Sequence, residues 1–438
     1  MRSLLSRLFS RSAGLQPRAH RAHRAMPRLE VLEDRLAPAT DIQVQAFSGA
    51  VAGTKIAIRY AILNEAAPSF KLQFFRSADD QWDAGDTLVS GTTISAASDL
   101  SLGVHTKKLN LGAGPGKIAL PGAGAGDPLA DYFLLAVADA DDLVAESDGD
   151  AHNEDNTVAF RGSYGLRASS GSSGGPVMVH GSQDNEVITI TNGQIFINSR
   201  SIPQIMSDVR EYRVRSHGGN DQIRGQNMIA RLVAFGGPGD DTILGSNTND
   251  RLDGGDGNDV IKSGRGNDVF ISSVGRDTLV PQGGADRIDW SVLLAAAAST
   301  TVSISFNARL PLAGQIEGCG AGGIFGVSAQ TTLNGDGSLS GTFSARGSGS
   351  ASCPDGCRVY FSGSATGVVG GSLGSVLVQG TAQGNVREVC PDGVDNEVVQ
   401  VPFSLTANLT NDLLRVVVRP PRGRLVGRGE YTQIVTNA

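Results

Sequence analysis

The chain has 438 residues, of which 40% are hydrophobic and only 18% charged, and 58 are glycine. That length predicts two to four compact units, and much glycine with little charge predicts short strands and many turns, an all-β chain rather than a helical one. The net charge is −7, yet residues 1–40 hold eight Arg against Glu30, Glu33 and Asp34, so the rest is more acidic than the total and is no nucleic-acid binder.

Residues 1–40 read as a basic export leader. The first 25 residues contain only a short apolar stub, less than the roughly 7–15 residue apolar centre of an ordinary secretory signal. Residues 28–40, RLEVLEDRLAPAT, resemble the Leu-Glu-x-Leu-Glu-Asp-Arg leader near the start of many exported surface proteins of one bacterial phylum, in which an ordinary apolar signal is often absent. The resemblance implies an extracellular or cell-surface destination. No run of about 20 apolar residues occurs, so no transmembrane segment is expected.

Residues 41–161 alternate apolar and polar side chains in the runs IQVQAF, TKIAIRYAIL, FKLQFF, DTLVSG, HTKKLNL and DYFLLAVAD, separated by Gly, Pro, Asn and Asp turns. About seven such strands predict a β-sandwich. The Asn64 turn after IAIRYAIL, the run FFRSADDQWDAGDTLVSG (74–91) and LLAVADADDLVAESDGDAHNEDNTV (134–158) resemble the cell-adhesion-related sandwich domain, CARDB. That family implies an immunoglobulin-like, non-catalytic module for display or adhesion; the sequence leaves the surface ligand open, with a polysaccharide or another surface protein as candidates. Asp79, Asp83 and Asp86, and likewise Asp148, Asp150 and Asp155, could offer oxygens to calcium, but neither set has EF-hand spacing and solvated turn carboxylates are the favoured reading. The Gly-rich GAGPGK at 112–117 is one spacing short of a phosphate-binding loop and reads as a turn. Residues 162–176, GSYGLRASSGSSGGP, read as a flexible Gly/Ser linker.

Within residues 177–290 a nine-residue period runs without a gap. Asp recurs at 241, 250, 259, 268, 277 and 286, and an apolar residue follows two positions later at Ile243, Leu252, Ile261, Phe270, Leu279 and Ile288. Each nonad supplies a turn, in which Gly permits positive φ and lets carbonyls face a cation, then a three-residue strand whose middle side chain turns inward. Two nonads make one coil. Asp241, Asp259 and Asp277 then stack along one edge and Asp250, Asp268 and Asp286 along the other, with steps of about 4.8 Å. Such columns repel unless a cation such as calcium, which takes roughly six to eight oxygens, lies between them. The pattern is the GGxGxDxUx nonapeptide and resembles the RTX, or hemolysin-type, calcium-binding repeat, which implies a parallel β-roll that binds Ca2+. The turn glycines are Gly237, Gly239, Gly255, Gly257, Gly264 and Gly266. Two to four sites are expected, mainly on Asp241, Asp259, Asp250 and Asp268, with turns decaying toward Asp277 and Asp286. Upstream, SHGGNDQIR (216–224) keeps the phase at Asp221 and Ile223, and NEVITITNGQIFINS reads as the start and cap of the coil.

Residues 291–438 read as a β-rich domain with four cysteines. Cys319, Cys353, Cys357 and Cys390 predict two disulfides, with three connectivities open. CPDG occurs at Cys353 and again at Cys390, which suggests one cross-link between two related hairpins. Zinc is disfavoured, because there is a single CxxxC pair and no His beyond His217. Arg415, Arg419, Arg422, Arg424 and Arg428 suit contact with an acidic polysaccharide or neighbour, or, as the preferred reading, a charge-guarded edge strand. No HExxH motif is present, and GxSxG at Ser173 and Ser372 lacks the strand-to-helix setting of a nucleophile elbow. The expected function is a calcium-binding, non-enzymatic extracellular or cell-surface structural or adhesion protein. The rival is a secreted hydrolase or carbohydrate-active protein with its active site in 291–438.

Overall fold

The computed structural model describes residues 40–50, 53–122, 126–146, 155–165, 175–191, 193–202, 209–271, 273–297, 302–316, 319–407, 416–419, 423–427 and 430–437. The leader expected over 1–40, Thr40 apart, lies outside the described residues, as do Asp148, Asp150, Ser173, Arg415, Arg422 and Arg428. The fold is nearly all β, and among the described residues no helix is long and apolar enough to cross a membrane.

Alternation along the first strands builds a sandwich. Lys55–Leu63 turns Ile56, Ile58, Tyr60 and Ile62 inward, each 1% exposed or less, and sends Lys55 and Arg59 to solvent. It lies between Asp41–Gly49 and Gly103–Leu111 in a four-stranded sheet. Thr87–Ile94, Phe70–Ser77, Phe133–Ala138 and Thr157–Ala159 form the second sheet, and Phe47, Phe74 and Phe160 pack in the core they enclose. Residues 112–117, GAGPGK, are the turn that leads into Lys117–Ile118.

Phe133–Ala138 is buried on both faces, because Leu135 and Val137 lie in a small outer cluster with Phe75 and Trp82 and the next unit packs against Phe133. Phe133 stacks on His217 with ring centroids 3.9 Å apart. Nearby, the fully buried Arg215 places its guanidinium over the Tyr132 ring and donates to the carbonyls of Ala130 and Pro128 at 2.8 and 3.1 Å. Gly162–Tyr164, expected as flexible linker, is instead a strand paired antiparallel with Val177–His180. Tyr164 explains the difference: its ring is fully buried against Phe160 and its hydroxyl donates to the Pro121 carbonyl.

The nine-residue period then becomes a two-sheet solenoid. Thr242–Leu244 pairs in parallel with Val260–Lys262, and Arg251–Asp253 with Val269–Ile271, each residue meeting the one 18 positions later. Two nonads therefore make one coil. Ile223, Ile243, Ile261 and Leu279 project from one sheet and Leu252, Phe270 and Ile288 from the other, all 3% exposed or less. Trp290 and Leu293, the latter on the short helix Ser291–Ala297, belong to the same apolar core.

Residues from Val302 onward form a closed antiparallel sheet of long strands. Val302–Ile316 pairs along one edge with Cys319–Leu333, and its other edge is shared by Glu430–Asn437 and Gly423–Gly427, so the sheet returns on itself. Glu430–Asn437 also pairs with Gly275–Val280, which makes one roll sheet continuous with the barrel. Leu339, Phe343 and Ala351 face inward, while the intervening Ser, Thr and Arg side chains of Leu339–Ser352 face out. Along this strand the polarity is opposite to that of a lipid-embedded barrel, whose apolar band lies outside.

Strand register selects the disulfides. Gly320 opposite Ser352 brings Cys319 to Cys353, and Arg358 opposite Val389 brings Cys357 to Cys390. The Cys357–Cys390 bond thus joins the two CPDG hairpins, the one cross-link that the repeated motif suggests, and Cys319–Cys353 ties the first of them to the strand before it. Cys357, Glu388 and Cys390 come close enough together to hold a metal, but both thiols are consumed in the disulfide.

Candidate metal centre

The turns of the roll are shaped by close stacking of backbone. Gly237, Gly255 and Gly264 at the second position, and Gly239, Gly257 and Gly266 at the fourth, all have positive φ. At Gly239, with φ +138°, a Cβ would also fall 1.8 Å from the Gly219 carbonyl oxygen of the preceding coil. Only glycine satisfies both conditions there.

The aspartates are held in two ladders. Asp241 N–H donates to Asp259 Oδ1 at 2.8 Å and Asp259 N–H to Asp277 Oδ1 at 3.2 Å. On the other edge, Asp250 N–H donates to Asp268 Oδ1 at 2.8 Å and Asp268 N–H to Asp286 Oδ1 at 2.9 Å. All six side chains are 4% exposed or less. One oxygen of each ladder acceptor is thus spent on the backbone. Asp241, Asp259 and Asp268 each retain a buried Oδ2 with no hydrogen-bond partner.

Electrostatics in the columns follow from that burial. Desolvation, followed by the neighbouring carboxylates Asp277, Asp241 and Asp240, pushes Asp259 up to about 8. Burial likewise raises Asp241 and Asp268 to about 7, aided by Asp240 in the first case and by Asp250 and Asp286 in the second. Asp250 rises only to about 6, because burial is opposed by hydrogen bonds from the Leu232 and Ser246 backbones and the Ser246 hydroxyl.

Small cradles adjoin the spare oxygens. A Cβ on Gly236 would lie 2.2 Å from Asp241 Oδ2 and 2.4 Å from the Gly254 carbonyl oxygen. At Gly254 it would lie 2.1 Å from Asp259 Oδ2, and at Gly245 1.9 Å from the Ser263 carbonyl oxygen and 2.8 Å from Asp250 Oδ2, which, unlike the other two, already accepts the Ser246 N–H at 2.5 Å. A side chain would fill each cradle; glycine leaves it to the oxygens. The donor set is carboxylate and carbonyl oxygen alone, which suits a hard divalent cation of calcium's coordination habit. Such an ion supplies positive charge between stacked carboxylates, which is the chemistry these columns lack. At two of the described first positions serine replaces glycine: Ser216 Oγ donates to the Gly236 carbonyl at 2.9 Å, and Ser263 Oγ to Asp286 Oδ2 at 3.4 Å.

Two features escaped sequence reasoning. Beyond Asp221, whose N–H donates to Asp241 Oδ1 and whose phase the sequence shows, one column runs on to Glu186, whose N–H donates to Asp221 Oδ1, both at 2.7 Å. Glu186 stands where the repeat has Asp, in GSQDNEVIT (181–189), and Gly181 and Ile188 keep the nonad phase that could have revealed it. The second is an outer ladder one residue before each Asp: Asn258 N–H donates to Asp240 Oδ1 and Asn267 N–H to Asn249 Oδ1, both at 2.8 Å. The recurring Asn-Asp pairs at 249, 258 and 267 were its signal. The sandwich carboxylates behave as turn caps: Asp79 Oδ1 accepts Gln81 N–H, Asp83 Oδ1 accepts Gly85 N–H and Asp86 Oδ2 accepts Asp83 N–H.

No curated protein and no solved structure matches the chain. Residues 235–270 and 255–288 match the family model of the RTX calcium-binding nonapeptide repeat (four copies). The paired aspartate columns therefore lie in a segment of RTX calcium-binding repeats, and the cofactor of this chain is calcium.

Proposed function

We propose that the chain is a non-enzymatic structural or adhesion protein of the cell surface or extracellular matrix, whose roll folds on calcium held by Asp241, Asp250, Asp259 and Asp268. The observation that carries this reading is the set of buried, partnerless Oδ2 atoms on Asp241, Asp259 and Asp268. Without a cation such stacked charges oppose folding; with one they hold successive coils together, so metal binding and folding are one equilibrium. Calcium is abundant outside cells, and two disulfides suit the same oxidising setting. The leader and CARDB resemblances supply export and adhesion, with a surface polysaccharide or another surface protein as ligand.

The test is thermal melting of the full chain, followed by circular dichroism, in chelator and in millimolar calcium. Calcium is expected to raise the midpoint and sharpen the transition; identical curves would overturn the reading. Catalysis in 291–438 finds little material. Ser372 is paired with Ser375 across a tight hairpin, and residues 291–438 contain no His. Panels of ester, peptide and glycan substrates are expected to remain unhydrolysed, whereas covalent serine labelling at Ser372 would favour a hydrolase.

A further inference from the structure

We propose that the outer barrel face centred on Tyr360 binds an acidic polysaccharide, with Arg387 and Arg358 pairing its anionic groups. The adhesion reading is silent on this face, and the inference stands without it.

Register places the groups side by side. Tyr360 lies directly opposite Ser350 on one neighbouring strand and Arg387 on the other, and Ser350 lies opposite Gly322 one strand farther on. Arg358 is two residues before Tyr360 and shares its face. Tyr360 is 45% exposed and Ile324 48%. Because glycine and serine flank them, the surface sinks there into a shallow depression of about 570 Å³, bordered also by Ser362 and Asn385. Across four strands it spans about 14 Å, the scale of a short oligosaccharide.

The charge of this face is the second observation. Cys319–Leu333, Leu339–Ser352 and Arg358–Ser372 contain no Asp or Glu, and the one carboxylate of Ser375–Cys390, Glu388, falls by alternation on the opposite face. Arg346, Arg358 and Arg387 all point outward and form no ion pair among the described residues. The outward neighbours are otherwise mostly Ser, Thr, Gln and Asn. In a chain of net charge −7, four neighbouring strands with no outward carboxylate and three unpaired guanidinium groups are complementary to a polyanion. An exposed Tyr ring offers the apolar face of a sugar a flat partner, Arg pairs carboxylate or sulfate in bidentate fashion, and serine and amide groups match ring hydroxyls. These groups favour a glycan over nucleic acid, because one tyrosine among hydroxyls lacks the successive stacking platforms and tracking positive groove that single strands need.

The experiment is biolayer interferometry of the full chain in calcium against immobilised polygalacturonate and dextran sulfate, with neutral dextran and duplex DNA as comparators. The expected result is salt-sensitive binding to the acidic glycans, weakened at least tenfold by Arg387→Ser and by Tyr360→Ser but unchanged by Arg265→Ser on the roll. Each variant is to show the parent's circular dichroism and melting midpoint. Where Tyr360→Ser alters folding, Tyr360→Phe, expected to retain most binding, takes its place beside Arg387→Ser. Equal weakening by Arg265→Ser, equal binding of neutral dextran, tighter binding of DNA, or no binding at all would each overturn the proposal. Calcium-dependent melting reports on the roll and is unaffected by any of these outcomes.

Discussion

Arg161 Nη2 lies 2.5 Å from Glu186 Oε1, so the first carboxylate of one column is neutralised by an arginine donated from the end of the sandwich. Glu186 is fully buried, while Arg161 is half exposed. The upstream end of that column is consequently held by a covalently tethered cation, and in the proposed reading a diffusible one serves the later coils.

Arg161→Ala should therefore destabilise the chain even in saturating calcium. A buried partner left alone costs roughly 3–5 kcal/mol, reduced here by solvent at Arg161 to about 2 kcal/mol. Adding Glu186→Gln should recover part of the loss. Denaturant melts of the single and double variants check this; an additive double variant would mean that the pair is uncoupled.

Asp259→Asn should change sign with calcium. The amide keeps an oxygen to accept Asp241 N–H but removes a buried charge flanked by Asp241 and Asp277. In chelator the variant is expected to melt a few degrees higher, on the order of 1 kcal/mol. In calcium it should melt lower and bind fewer ions by isothermal titration. Asp79→Asn, on an exposed turn, should do neither.

The pH dependence follows from the raised carboxylates. Asp241 and Asp268 near 7, and Asp259 near 8, exceed their ordinary value of 3.8. The calcium-free fold thus keeps protons that the unfolded chain has released. Its stability contribution is fully present below about pH 4 and is lost as pH rises through 7 to 8. Calcium requires the deprotonated form, so its affinity should rise over the same window. Melting midpoints measured from pH 4 to 8 should fall in chelator and separate progressively from those in calcium. A chelated chain more stable at pH 8 than at pH 5 would contradict this.

Gly239→Ala and Gly103→Ala separate strain from stacking. Both positions have positive φ, but a Cβ at Gly103 meets nothing within 4 Å, whereas at Gly239 it meets the Gly219 carbonyl. Gly103→Ala should cost about 1 kcal/mol from backbone strain, and Gly239→Ala several times that. Comparable melts for the two variants would show that the coils can part without cost.

The roll was legible because its period is written in side chains: Asp every nine residues, with Ile243, Leu252 and Ile261 two positions on, fixes both the inward face and the 18-residue stacking. Glu186 was hidden because the hairpin of Gln194–Ile197 and Arg200–Ile202 interrupts the period before Asp221. Barrel closure was not legible. It depends on pairing Val302–Ile316 with Gly423–Gly427 and Glu430–Asn437, more than a hundred residues away, and alternation marks a strand's faces without naming its partner. The disulfides stayed open for the same reason, since register alone chooses among three connectivities.

The shared strand Glu430–Asn437 gives the molecule a mechanical property. Gly275–Leu279 is laced to Val435–Tyr431 along the strand direction, so tension between roll and barrel along that axis loads the ladder in shear, all pairs together, rather than peeling them one by one. The roll side of this seam is Gly275–Val280, whose other edge is carried by the Val260–Lys262 coil next to Asp259. In the proposed reading, calcium at that coil would stiffen the joint through which a pulled barrel transmits its load.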